Sequence, residues 1–327
     1  MKKNSGLWIS IILSAFFLLL IIYNVDFHKI KEALRTANYL YLPLGVTLSL
    51  LTNILRSYRW KYVLKPIRKI NILNLFSGVA IGYMANNILP ARLGEFVRAY
   101  IMGKKESMSK SLTLATIVIE RIFDGLTLLF FLVLISLFFS FPLWTKRAGF
   151  VATVFFLTLS AFLFLLMVKK SIGVQLVERG VGLFSTRIAM RANYLLDSFL
   201  SGLAIVNHKK DILMVFLFSV LVWLVEATTY YVISLSFGIS LPLYVPIFTV
   251  VIVNLGIMIP SAPGYVGTFE FFCISALAPF SVEKSVALSF AIVLHTVLFI
   301  PITAVGMIYF WKENLSFAEI KNSVKKI

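Results

Sequence analysis

Six ionisable residues in the first half of this chain stand where apolar ones are expected. The run KSLTLATIVIERIFDGLTLLFFLVLISLFFS carries Glu120, Arg121 and Asp124, and the stretch NNILPARLGEFVRAY carries Arg92, Glu95 and Arg98. Arg121 and Asp124 are three residues apart and can meet on one helix face. Glu120 is then free for a partner elsewhere, and Arg92 or Arg98 can supply it. Glu226 and Glu270 add carboxylates in the second half. Glu226 and His295 can form a polar pair between facing spans, or His295 is a core histidine satisfied by its own surroundings. Guanidinium groups bind phosphate oxygens in bidentate fashion, so the arginines suit an anionic headgroup. Glu95, Glu120 and Asp124 can carry protons.

No HExxH, GxSxG or Walker-type loop is present, and there are only three histidines (His28, His208, His295) and one cysteine, Cys273. That leaves no internal disulfide and no multi-cysteine metal site. We expect no catalytic residue, no metal and no cofactor.

These charges must be positioned by membrane-embedded helices. The chain is 60% hydrophobic and 14% charged, against about 25% charged residues in soluble domains. Six runs are long enough to cross a bilayer: 7–23, 39–57, 111–140, 148–168, 211–236 and 285–311. A β-barrel would show short alternating segments instead. Lys2-Lys3 before the run 7–23 resembles a signal sequence, but the run is long and lacks a cleavage site, so an uncleaved first helix is expected. On this reading 1–327 is a single all-α, polytopic integral membrane domain. The run 111–140 would make a helix of about 45 Å, longer than a ~30 Å hydrocarbon core. Glu120 lies about 15 Å along it from Lys110, well inside the membrane. An unpaired charge at that depth costs about 2.5–3.5 kcal/mol. An ion network that merely fastens helices together is the plain alternative. So many charges argue against it, because burying ion pairs is a poor route to stability.

Two further apolar stretches, 71–103 and 243–280, are broken by Pro and Gly. The first reads NNILPARLGEF and the second NLGIMIPSAPGYVGTFE. In each, asparagine precedes a proline, and a glycine follows four residues later: Pro90 to Gly94, and Pro260 to Gly264. Each broken stretch follows one spanning run and precedes a Lys-Ser pair and a long apolar run. The expected arrangement is an inverted repeat of helix, re-entrant hairpin, helix, over 39–140 and again over 211–311; a pair of short crossing helices at each broken stretch is the alternative, and either way there are eight to ten helical segments. The Gly78–Gly82 pair would let one hairpin arm pack closely on a neighbour. Broken backbone at membrane depth survives only where it is buried in protein or lines a wet cavity. Paired breaks in two halves point to a transporter's central site.

With the N-terminus cytoplasmic, the segments 1–6, 56–70, 104–110, 169–210 and 312–327 fall on one side with 22 basic residues, against six opposite. This imbalance places both termini in the cytoplasm of a cell in whose plasma or inner membrane the protein resides. The net charge of +17 is absorbed by this rule and by attraction to anionic lipid. No nucleic-acid motif accompanies it. Segment 169–210 mixes apolar residues at helical spacing with Arg179, Arg187 and Arg191. It reads as amphipathic helix on the cytoplasmic leaflet or as a helical hairpin packed on the protein itself.

Three ordered motifs resemble the membrane domain of lysylphosphatidylglycerol synthase: N-x-x-x-P-x-x-x-G-E from Asn86 to Glu95, E-R-x-x-D from Glu120 to Asp124, and P-x-x-P-G-x-x-G-x-x-E from Pro260 to Glu270. Arg56 and Arg59-Trp60, placed after the second span, fit the R-x-x-R-W feature of that family. The resemblance covers nearly the whole chain. It implies movement of aminoacylated phosphatidylglycerol between leaflets; the domain that makes this lipid is separate. The sequence runs about 16 residues past the last span, so a stand-alone, flippase-like member is expected. Some relatives act beside polyprenyl-phosphate sugar pathways.

The headgroup-contacting residues expected are Asn86, Asn87, Arg92, Glu95, Arg98, Glu120, Arg121, Asp124, Asn254 and Glu270. Pro90, Gly94, Pro260, Pro263, Gly264 and Gly267 would shape the hairpins. Partners would be a membrane lipid with an anionic headgroup and a lipid-synthesising or glycosyltransferase enzyme, with homo-oligomers allowed and no nucleic acid. A membrane-embedded transferase and an accessory subunit of such an enzyme stand as the alternatives to translocation.

Overall fold

Long apolar runs leave the backbone no partner but itself, and the described residues accordingly fold mostly into helices. The structure is a computed structural model that describes residues 5–23, 25–89, 93–168, 186–259, 261–316 and 319. Among these, twelve α-helices follow in order: α1 (Ser5–Ile22), α2 (Phe27–Thr36), α3 (Leu42–Leu64), α4 (Ile72–Ile88), α5 (Gly94–Glu106), α6 (Lys110–Ser136), α7 (Leu143–Val168), α8 (Thr186–Gly202), α9 (Lys209–Ser236), α10 (Tyr244–Gly256), α11 (Thr268–Leu277) and α12 (Lys284–Lys312). No strand occurs among the described residues. This is an all-α membrane protein.

By length and apolarity, three described helices can cross a membrane unaided: Leu143–Leu166, Lys209–Ser236 and Lys284–Lys312. A fourth candidate is α1 with α2, which are bent by 88°. Two other expected spans, α3 and α6, are 23 and 27 residues long but carry the interior charges, which lower their apolarity. Helix α2 was not foreseen; Asp26 caps it by accepting the N–H groups of His28 and Lys29.

One boundary needs correction. The second span does not end near residue 57: α3 continues to Leu64 and buries Arg56, Arg59 and Trp60. Arg56 and Arg59 therefore leave the set of loop charges, although the excess on that side remains. The helix runs on because these side chains find partners inside.

Helices α3 and α9 lie antiparallel along much of their length. Gly45 meets Ile233 near one end, and the Lys65–Asp211 ion pair (2.7 Å) closes the other. Helices α4 and α5 form a second antiparallel pair. Gly78 lies against Met102 and Trp60, while Gly82 lies against Gly94 and Arg98. A Cβ on Gly94 would come 2.0 Å from the Gly82 carbonyl oxygen, so only glycine permits this spacing. In the second half, Gly256 at the end of α10 lies against the Phe272 ring of α11. Neither broken stretch is a continuous rod. Pro90 and Pro260 themselves lie outside the described residues, as does 169–185 of the expected amphipathic segment. The rest of that segment includes α8, which packs on α6 with Ser111 Oγ donating to the Leu195 carbonyl (2.8 Å).

Apolar packing forms two main cores. One draws mostly on α9–α12 around Phe248, Phe269 and Phe290. The other draws mostly on α3, α4, α6 and α7 around Trp60, Leu75 and Ile117. The charged residues gather between them.

Candidate functional site: a charged cluster beside a mid-helix cavity

Helix α3 supplies a polar stripe of Ser49, Thr52, Asn53, Arg56, Ser57 and Arg59, all buried. Arg59 is the best enclosed of its charges. Its Nη1 and Nη2 donate to the two Asp124 oxygens at 2.5 and 3.2 Å, Nη1 also reaches Ser219 Oγ at 3.1 Å, and Nε lies 3.6 Å from Glu120. Such forked contact fixes both partners, since guanidinium and carboxylate are planar. Glu120 takes a second ion pair from Arg98 Nη1 at 2.7 Å. The Arg98 guanidinium stacks 3.4 Å over the Trp60 ring, and Trp60 Nε1 donates to Thr116 Oγ1 at 3.0 Å.

The remaining pairs face more open space. Arg56 donates to Glu226 at 2.7 Å and to the Tyr83 hydroxyl at 2.6 Å. Arg121 reaches Glu95 at 2.9 Å and Asp124 at 3.4 Å, with 40% of its side chain exposed. Asn86 Oδ1 accepts the Gly94 N–H at 2.7 Å, which caps α5, and Asn86 Nδ2 donates to Glu95 at 3.4 Å. Asn254 donates to Glu226 at 3.4 Å. Among the described residues the cluster thus joins four arginines to four carboxylates. It sits near the middle of long helices: Asp124 in the 27-residue α6 and Glu226 in the 28-residue α9.

A cavity of about 510 Å³ opens beside it. Its polar wall includes Arg56, Tyr83, Glu95, Arg121, Asp124 and Glu226, and its apolar wall includes Leu128, Phe155, Phe156, Leu159, Met258 and Leu298. Phe155 and Met258 are also exposed on the protein surface, so the greasy side of the cavity reaches the flank that lipid would cover. The two breaks meet here. Asn87 Nδ2 donates to Thr303 Oγ1 of α12 at 2.8 Å, and Gly264 of the second break abuts the Asn87 carbonyl.

The expected residues therefore divide. Asn86, Asn87, Glu95, Arg121, Asp124 and Asn254 line the cavity; Arg98 and Glu120 lie behind its wall; Arg92 lies outside the described residues. Glu270 faces neither the cavity nor Glu226. Its Oε1 meets His295 Nδ1 at 2.5 Å and its Oε2 accepts the Gly267 N–H at 2.7 Å. The suggested Glu226–His295 pair is not formed, because Arg56 engages Glu226 and Glu270 engages His295. Gly264 and Gly267 adopt φ of +70° and +84°, the left-handed region that glycine enters without strain. Pro263 opens a short 3₁₀ turn.

Arg56, Arg59 and Tyr83 were not foreseen as cavity or cluster residues, and Glu226, counted among the interior charges, was not among the expected headgroup contacts. The signal for the two arginines was the three-to-four-residue spacing of Ser49, Thr52, Asn53, Arg56 and Arg59, which continues the helix past residue 57. Among the described residues no three His, Cys, Asp or Glu side chains converge on a metal-sized site.

The family model for the lysylphosphatidylglycerol synthase TM region matches residues 7–306. The chain belongs to this family. Within it, a UPF0104 membrane protein of Methanothermobacter thermautotrophicus is 27% identical over 85% of this chain and 87% of its own length. A UPF0104 membrane protein of Methanocaldococcus jannaschii is 25% identical over 92% and 93%. Glycosyltransferase AglD of Haloferax volcanii is 27% identical over 74% of this chain and 44% of its own length. The matched residues 7–306 include every residue that lines the cavity and every member of the charged cluster.

Proposed function

We propose that the chain is a flippase-like lipid translocase that carries an anionic or aminoacylated phospholipid, or a polyprenyl-phosphate-linked lipid, between leaflets. The observation that carries this reading is one cavity joining the partly exposed Arg121 guanidinium to an apolar wall that reaches the lipid-facing surface. A phosphate would exchange into the Arg121 contacts while acyl or prenyl tails follow Phe155, Leu159 and Met258 into the bilayer. Each broken stretch is then a re-entrant hairpin, and the two halves form an inverted repeat around the cavity. Asn86, Asn87, Glu95 and Asn254 add hydrogen-bonding groups.

We place the protein in the plasma or inner membrane with both termini cytoplasmic. Loops assigned to one side do gather at one end, through Lys65–Asp211, Lys105–Glu313 and Lys104–Glu319. Those assigned to the other gather opposite, through Lys29–Glu283 and the Asn38 N–H to the Ser236 carbonyl.

The test is reconstitution into liposomes holding a labelled phosphatidylglycerol. Purified protein is expected to equilibrate the label between leaflets faster than empty liposomes do, and Arg121→Ala to remove the gain. Unchanged rates in that variant would defeat this mechanism. The likeness to part of a glycosyltransferase favours a second reading, in which the chain serves as the membrane unit of a lipid-modifying enzyme. Lipid mass spectrometry with and without the protein separates the two, since an enzyme unit changes lipid species and a translocase does not.

A further inference from the structure

Glu270 and His295 stand apart from the charged cluster and fasten the second break. His295 lies on α12, three residues from the middle of that 29-residue helix. Its Nε2 is 2.8 Å from the Gly264 carbonyl oxygen, and its Nδ1 is 2.5 Å from Glu270 Oε1. A carbonyl only accepts, so Nε2 must carry hydrogen. A second hydrogen must then lie between Nδ1 and Oε1, whether on the ring or on the carboxyl. A neutral imidazole facing a carboxylate has one ring hydrogen for these two acceptors. One contact must then fail. We propose that the Glu270–His295 pair is a proton-binding site that locks the second break onto α12. Resting on the translocation reading, it is also the site through which a proton gradient acts on the cavity.

What the proton would hold is specific. Gly264 and the next residue, Tyr265, both have positive φ, and Tyr265 is not a glycine. The His295 ring packs on Phe269 and Phe299 at 4.5 and 4.2 Å between centroids, and Tyr265, Phe269 and Phe299 all line the cavity. Gly264 in turn abuts Asn87 of the first break. Losing the proton to water leaves one net negative charge on the pair and frees either Gly264 or Glu270. The closed break holds more protons than the open one, so lower pH favours closure.

The surroundings leave this proton to the pair. Helices α1 and α10, which pack on α11, contribute no Asp, Glu, Lys, Arg or His among their described residues. The other ionisable groups of α11 and the break are the buried Cys273 and Tyr265. On α12, Lys284 is bonded to the Tyr23 carbonyl at the helix start, and Lys312 lies at the helix end. Helix α2, against α12, carries His28, Lys29, Lys31, Glu32 and Arg35 near that start, with Lys29 paired to Glu283. Of the other helices on α12, α4 carries no charged residue, α3 carries Arg56, Arg59 and Lys61, and α9 carries Lys209, Lys210, Asp211 and Glu226, with Asp211 paired to Lys65. Both arginines and Glu226 are already paired within the charged cluster. Among the described residues Glu270 has no ionic partner within 4 Å except His295.

The test is hydrogen exchange of residues 261–271 in the full-length protein in lipid nanodiscs, corrected for intrinsic rates, from about pH 5 to about pH 10. Protection in the wild type is expected to fall about tenfold as pH rises. Glu270→Gln supplies a permanent donor to Nδ1 and should stay protected throughout. Glu283→Gln, on the exposed pair with Lys29, should behave as wild type. Flat protection in the wild type, or a pH response that survives in Glu270→Gln, would overturn the proposal. If the variant does not fold, the wild-type response decides alone. Labelled-lipid movement under an imposed pH gradient is measured alongside. A responsive break with no lipid movement leaves the proton site standing and removes the translocase reading; lipid movement with an unresponsive break does the reverse.

Discussion

Arg59 and Arg121 share the carboxylate of Asp124, yet one is enclosed and the other faces a cavity. With 2% of its side chain exposed, Arg59 holds the two negative residues of α6 against α3. Arg59→Ala would leave Asp124 with only the 3.4 Å Arg121 contact and weaken the setting of Glu120. We expect a loss of about 3–5 kcal/mol, seen as a lowered thermal midpoint in detergent. Lys65→Ala, on a pair with a half-exposed lysine, should cost only about 0–1 kcal/mol. Equal effects would mean that the interior pairing is not what holds α3 to α6. The pairing partners were only partly legible in the sequence. Arg121 with Asp124 follows from spacing, while the need to neutralise Glu120 left Arg92 and Arg98 both open as its partner, of which the structure pairs Arg98. Arg56 with Glu226 joins residues 170 apart in sequence, and no local pattern specifies such a pairing.

At the scale of elements, the long apolar runs announced most of the helices, and the Pro/Gly stretches announced where two of them break. The end of α3 was misplaced because arginine reads as an interface residue unless its partners are known. Helix α2 was missed because ten residues are too short for a membrane span; Phe27, Ile30 and Leu34 at helical spacing and the N-cap at Asp26 were the readable clues. The closeness of α4 and α5 depends on Gly94, where an added methyl would strike the Gly82 carbonyl and the Asn86 side chain. Gly94→Ala should therefore part the two arms and cost about 1–3 kcal/mol, measured as a lower thermal midpoint. It should also slow lipid movement, because Asn86 and Glu95 would shift with the arms. A variant as stable and as active as the wild type would remove the close approach from the argument.

For the molecule as a whole, the distribution of charge between its ends makes a prediction about sidedness. With Cys273 replaced by serine, single cysteines can be placed at Lys31 on α2 and at Lys209 on α9, both exposed. An impermeant thiol reagent added to sealed cells should label position 31 and leave position 209 untouched until the membrane is opened. The reverse pattern would turn the protein over in the membrane. Whichever way it faces, the described cluster pairs four guanidinium groups with four carboxylates. On the translocase reading proposed above, a negatively charged guest would meet no unpaired guanidinium among the described residues of this cluster. It would enter by swapping places with an existing carboxylate contact and depart when that contact re-forms. Each resting point would then be shallow, as passage through a membrane demands of any conduit that must release what it admits.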